Sequence, residues 1–211
     1  WNAAGCEVTL LIRKDRVLST WERRASMTLT RELKRRGVNV IARTAVDRVD
    51  TGANLGATVH YRQGDSDEDR TAYGEVVLAA IGRVPNTDAD WFRSSGLKLD
   101  ERGYVTVDGY GRTNLDGVWA LGDITPGHAL AHRAFEQGIT IAEKIAGADP
   151  KPVIDDTVPQ VVFSFPEAAS VGLTLDQAKA LEDVVEPKET AYPMLSNARM
   201  LMRSEEHTSE L

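Results

Sequence analysis

Six consecutive apolar residues, Val76-Val77-Leu78-Ala79-Ala80-Ile81, stop at Gly82 and are followed by Arg83-Val84-Pro85-Asn86. A run with no polar face to give to water, bounded by turn residues, predicts a strand buried on both sides. Such strands belong to parallel sheets covered by helices, which restricts the fold to the α/β class. Gly82 and the Pro-Asn pair predict a sharp turn at the strand's carboxyl end. A second segment repeats the pattern. Thr113-Asn114-Leu115-Asp116-Gly117 predicts a turn, Val118-Trp119-Ala120-Leu121 a short apolar strand, and Gly122-Asp123 stand where that strand ends. In open α/β sheets, ligands bind outside the carboxyl ends of strands. Gly122 has no Cβ to keep a ligand from the backbone, and Asp123 can accept hydrogen bonds from a sugar-like hydroxyl. Read alone, the pair equally suits a plain turn capped by the aspartate. Just downstream, Ala129-Leu130-Ala131-His132-Arg133-Ala134-Phe135-Glu136-Gln137-Gly138 opens a helix.

In order and spacing, these three segments resemble the flavin-dependent pyridine nucleotide–disulfide oxidoreductases, and the likeness extends to about residue 202. The resemblance implies an α/β fold, specifically a partial flavoprotein with two dinucleotide-binding domains and the beginning of an α+β dimerisation domain. On that pattern, residues 1–82 are the C-terminal part of an NAD(P)-binding domain. Residues 83–150 are the second segment of an FAD-binding domain, and 151–203 start the dimerisation domain. The resemblance also gives roles to individual residues. Asp123 would hold a hydroxyl of the FAD ribityl chain, with Gly122 allowing the close approach. Leu130, Ala131 and His132 would open a helix whose N-terminal amides face the flavin pyrimidine edge, where the dipole favours negative charge. Gly82 and Arg83 would flank the nicotinamide and flavin. His132 itself reads as structural, because the family's catalytic histidine lies in an H-P-x-x-x-E segment that this sequence does not contain.

Cofactor choice turns on the end of the second strand, where an acid binds the ribose hydroxyls of NAD and an arginine suits the extra phosphate of NADP. The sequence there is Ile12-Arg13-Lys14-Asp15-Arg16, with no Glu at the strand end. Arg13 therefore points to NADP, with a solvated basic turn as the alternative. The Ala129-Leu130-Ala131-His132 wording, Glu136-Gln137-Gly138 and the 166–174 segment resemble dihydrolipoyl dehydrogenases instead. In that reading electrons from a dihydrolipoyl group pass through an enzyme disulfide and FAD to NAD. The rival is a glutathione-, mycothione- or quinone-type NADPH reductase, favoured by Arg13. A non-catalytic nucleotide-binding remnant is the reading from another class. The implied partners are a small-molecule or lipoyl-group substrate and, for the intact parent, a second subunit in a homodimer.

Composition narrows the remaining classes. A net charge of −7 argues against a nucleic-acid partner, which calls for a basic face. No apolar run approaches the roughly 20 residues that span a bilayer. The first residues lack the basic and apolar regions of a signal peptide, and a single cysteine excludes an internal disulfide, so a reducing cytoplasm is expected. Cys6 is the one cysteine. It cannot supply the family's C-x4-C pair and reads as a small buried hydrophobe. His60 and His128 have no recognisable partner in the sequence.

Along the chain, strands are expected at 8–12, 38–41, 46–49, 57–62, 76–81, 104–108 and 118–121. Helices are expected at 23–36, 91–97, 130–146 and 175–181. Gly37 would close the first helix, and 63–70 reads as an acidic turn. No G-x-G-x-x-G precedes the first strand, which predicts that the sequence begins inside a βαβ unit. Residues 204–211 are polar and patternless and read as a non-native tail. Expressed alone, the chain is expected to be poorly soluble, to lose FAD on purification and to leave dihydrolipoamide unreacted.

Overall fold

The computed structural model describes residues 1–52 and 56–192. β1 (Thr9–Ile12) and β2 (Asn39–Ala42) pair in parallel, from Thr9 opposite Asn39 to Ile12 opposite Ala42. Parallel neighbours need a crossover, and α1 (Arg23–Arg35) supplies it. The sequence of α1 explains its limits. The Glu22 side chain accepts the Arg23 N–H at the start. Lys34 and Arg35 stand at the negative end of the dipole. Gly37 adopts φ +87° just beyond, in the left-handed conformation that ends helices. Leu29 and Ser26 are its buried positions, and Trp21, Val38 and Val40 are buried nearby in sequence.

β3 (Thr44–Thr51), β4 (Ala57–Gln63) and β5 (Arg70–Gly74) form an antiparallel meander. Alternation sets its faces: Ala57, Val59 and Tyr61 of β4 are buried while Arg62 is exposed. A register shift between Val46 and Arg48 marks a bulge in β3. β5 was not expected. Arg70-Thr71-Ala72-Tyr73-Gly74 carries little apolar signal, and it becomes a strand by pairing along β4 from Arg70 opposite Tyr61 to Gly74 opposite Ala57.

The expected strand at 76–81 does not form. Residues 76–86 lie outside any strand, with Leu78 70 % and Ile81 93 % exposed. A strand buried on both faces needs neighbouring strands and covering helices, and among the described residues no strand pairs with this run. The strands expected at 104–108 and 118–121 shrink to single bridges, Leu99 with Val105 and Arg112 with Trp119. Packing nonetheless holds them, since Val105 is fully buried against Phe92 and Ala120. Around this cluster lie Ala89, Leu97, Leu99, Val107 and Ile124. Phe92 comes from α2 (Asp90–Arg93), which is shorter than the expected 91–97.

α3 (Ala131–Ile145) buries Arg133, Thr140 and Ile141. β6 (Gln160–Val162) and β7 (Ala168–Ser170) form an antiparallel pair. These elements belong to a unit spanning Trp1–Gly172. In the second unit, α4 (Leu175–Lys179) starts with a capping box between Thr174 and Gln177. The end of the expected interface segment and the 204–211 tail lie outside the described residues.

Candidate cofactor site

The Gly122-Asp123 pair begins a short 3-10 turn, Gly122–Ile124, that packs against α3. Gly122 is buried at φ +74°, a conformation that disfavours any side chain. A buried backbone N–H without a partner costs about 1–3 kcal/mol. Here Gln137, one and a half turns into α3, accepts it through Oε1 at 2.9 Å. The Gly122 carbonyl accepts both the Thr125 N–H at 3.0 Å and the Thr125 hydroxyl at 2.8 Å. Thr125 is 2 % exposed, so this closure is shielded from water.

Farther along the same turn, the Pro126 carbonyl accepts Arg133 Nη2 at 2.5 Å, and Arg133 Nε donates to Asp155 Oδ1 at 2.5 Å. Arg133 is 5 % exposed, and Nη1 has no partner among the described residues. A Cβ on Gly127 would collide with Arg133 Nη2 and Asp155 Oδ2, so this position needs a glycine for the guanidinium to lie there. Between these anchors Asp123 is exposed, and among the described residues no hydrogen bond or ion pair engages its carboxylate. Its flanks are held while its acceptor oxygens stay free.

The start of α3 is open as well. Leu130 stands at its N-cap with no side-chain cap, and no acidic residue occupies the first turn. The first-turn amides of a helix have no intrahelical acceptor, so this start presents unpaired N–H groups and positive dipole charge. Ala131 and His132 are exposed there and Leu130 is half-buried. The His132 ring is already used, its Nε2 standing 2.6 Å from the Pro159 carbonyl.

Gly82 and Arg83 are not assembled with this turn. Both are exposed in the strandless 76–86 segment, and a Cβ on Gly82 would meet nothing within 4 Å. Arg13 is exposed immediately after β1, and no ion pair holds it among the described residues. The nearest acid is neutralised: Arg16 Nη1 donates to both oxygens of Asp15, at 2.9 and 2.8 Å. That hydrogen bond is the main reason the Asp15 carboxyl lies below its ordinary range.

Three expectations about single residues are corrected. Cys6 is exposed, because it sits in the loop ahead of β1, where nothing packs over it. His60 has partners: its ring lies 3.0 Å from Asp50 Oδ2 and 3.1 Å from Asp69 Oδ2, brought together by the meander. His128 meets Gln160 Nε2 at 3.2 Å. Gln137, Arg133 and Thr125 were given no site role from the sequence. The usable signal was Arg133 and Gln137 at i, i+4 on the same face of the helix as buried Ile141. Polar groups on a buried face need partners.

The pyridine nucleotide-disulphide oxidoreductase family profile matches residues 1–138. The chain belongs to this family. It is 36 % identical over 202 residues to a dihydrolipoyl dehydrogenase of Cupriavidus necator, covering 95 % of this chain and 41 % of that protein. A dihydrolipoyl dehydrogenase of Geobacillus stearothermophilus is 37 % identical over 201 residues, covering 93 % and 41 %. Among solved structures, LpdA from Mycobacterium tuberculosis superposes with a TM-score of 0.83 at 30 % identity, over 96 % of this chain and 42 % of that one. The chain thus spans about two-fifths of the length of these relatives. Its fold is the corresponding α/β portion of a flavoprotein with two dinucleotide-binding domains.

Proposed function

We propose that this chain is the cofactor-facing portion of an oxidoreductase that passes electrons between NAD(P)(H), FAD and a cysteine disulfide, of the dihydrolipoyl dehydrogenase type. The observation that carries this reading is the Gly122–Ile124 turn, fixed on both sides and presenting one free carboxylate beside an uncapped helix start. These residues fit a flavin nucleotide. Asp123 would accept a ribityl hydroxyl, Gly122 would admit the chain closely, and the amides at 131–133 would face the electron-rich edge of the ring. FAD, when bound, supplies two-electron chemistry between a nicotinamide and a dithiol. The open end of α3 would favour negative charge on the reduced ring.

Gly82 and Arg83 would flank the nicotinamide and flavin, although nothing among the described residues holds them in place. The segments 1–82, 83–150 and 151–203 would serve as parts of the NAD(P)-binding, FAD-binding and dimerisation domains. The reducible cysteine pair would lie elsewhere in the parent, since Cys6 stands alone. A lipoyl group is the proposed substrate, a homodimer the proposed assembly and the cytoplasm the proposed location. Among the described residues no helix is long and apolar enough to cross a membrane.

One observation favours an NADPH-type reductase as the second reading. Arg13 is exposed just after β1 with no ion pair among the described residues, and Asp15, the next acid along the chain, is occupied by Arg16. The test of the main reading is titration of the purified chain with FAD, followed by flavin fluorescence and visible absorption. Asp123→Ala is expected to weaken binding about 10- to 100-fold, the value of a hydrogen bond to a charged group. Equal affinity in the two proteins would overturn it.

A further inference from the structure

We infer that Gln137 and Arg133 are positioning residues that fasten the turn carrying Asp123 onto α3, making the acidic acceptor and the helix start one rigid ligand-facing unit. The inference rests on the reading of Asp123 as a flavin-binding carboxylate and adds the means by which that carboxylate is held. Thr125 closes this turn on itself, but nothing in the immediate sequence fastens its two ends to the rest of the fold. Gly122 is its entry at φ +74°, Gly127 its exit at φ +124°, and glycine lets both ends move freely unless something outside holds them.

Two side chains of α3 do so, one helical turn apart. Gln137 Oε1 takes the buried Gly122 N–H at the entry. Arg133 Nη2 donates to the Pro126 carbonyl beside the exit, and its Nε donates to Asp155. Thr125 closes the turn internally on the Gly122 carbonyl. These contacts are spent on orientation, and they leave the Asp123 carboxylate free for a ligand. Positioning a binding group on a rigid element through such supporting contacts is what removes the ordering cost at the moment of binding. A helix that also presents its own N-terminal amides gains more: both halves of the site then move as one body.

The Gly122 amide reports the lock without any ligand. In the ¹⁵N-labelled 211-residue chain, Gln137→Leu is expected to speed Gly122 amide exchange about tenfold or more, because its acceptor is gone. The Gly122 proton resonance should move upfield, while β4 amides of the meander keep their rates. Gln137→Glu retains an acceptor oxygen and should restore slow exchange. Unchanged Gly122 exchange in Gln137→Leu, or no recovery in Gln137→Glu, would overturn the inference. General acceleration that includes the β4 amides would overturn it too, since it assigns Gln137 to overall stability. The flavin reading is judged separately by the effect of Asp123→Ala on FAD affinity, so either idea can fail while the other stands.

Discussion

Gly82 and Gly122 both end apolar runs, and both adopt positive φ, +131° and +74°. One is held and the other is not. Around Gly122 the partners are short-range: Thr125 closes the turn three residues on, and Arg133 and Gln137 return from the next helix. Around Gly82 the apolar run 76–81 finds no strand to pair with among the described residues, and its side chains face water. The same kind of motif therefore becomes a fastened turn or an unpaired segment according to where its partners come from. Local partners build geometry inside a limited stretch of chain, whereas a strand buried on both faces depends on distant segments of sheet.

Substitutions at matched positions should widen this contrast. The largest difference is expected between Gly111→Ala and Gly82→Ala. A Cβ at 111 would lie 2.8 Å from the Ala120 carbonyl oxygen and 2.8 Å from Ile141 Cδ1, at φ +79°, so about 3 kcal/mol should be lost in urea melts. At Gly82 only the backbone strain remains, about 1 kcal/mol. Next comes Val105→Ala, which opens a hole beside Phe92 and Ala120 and should cost about 2 kcal/mol. Ile81→Ala, at a side chain already 93 % exposed, should stay within about 0.5 kcal/mol. Equal losses at 105 and 81 would mean that the apolar run is packed after all.

A smaller effect is expected at the proposed nucleotide edge. Arg13→Glu should lower affinity for a 2′-phosphorylated adenosine nucleotide about tenfold, measured by calorimetry, and leave the unphosphorylated nucleotide unaffected or tighter. Loss of both together would place Arg13 outside the adenosine end. The smallest effect belongs to the meander, where Arg62 donates to Asp47 at 3.0 and 2.8 Å. This hydrogen bond is the main cause holding the Asp47 carboxyl below its ordinary range. A carboxyl depressed in the folded state binds fewer protons there than when unfolded. Its stabilisation is present above the usual aspartate range and is lost as pH falls through the folded value. Asp47→Asn should therefore shift the urea midpoint slightly at neutral pH and not at all in strong acid. A shift of equal size at both would rule out the ion pair as its cause.

Much of this was legible in the residues themselves, for reasons that separate local from distant causes. The helix expected at 23–36 with Gly37 behind it matches α1, which occupies Arg23–Arg35. The strands expected at 46–49 and 57–62 fall within β3 and β4. β5 stayed hidden because its strand character comes from β4 beside it and not from its own composition. Residues 76–81 misled for the converse reason: strong strand composition does not supply neighbours. At the site, Gly122 and Asp123 were readable as a motif, while Gln137 and Arg133 were not, since their partners are backbone atoms of a turn 15 and 7 residues away. Only the path of the chain reveals that pairing.

The most direct test of the account is residue-resolved hydrogen exchange of the chain with and without saturating FAD. Protection is predicted at 122–124 and 130–132, with the β3–β5 meander and residues 76–81 unchanged. Protection confined to the meander, or none at 122–124, would contradict the flavin site at the Gly122-Asp123 turn.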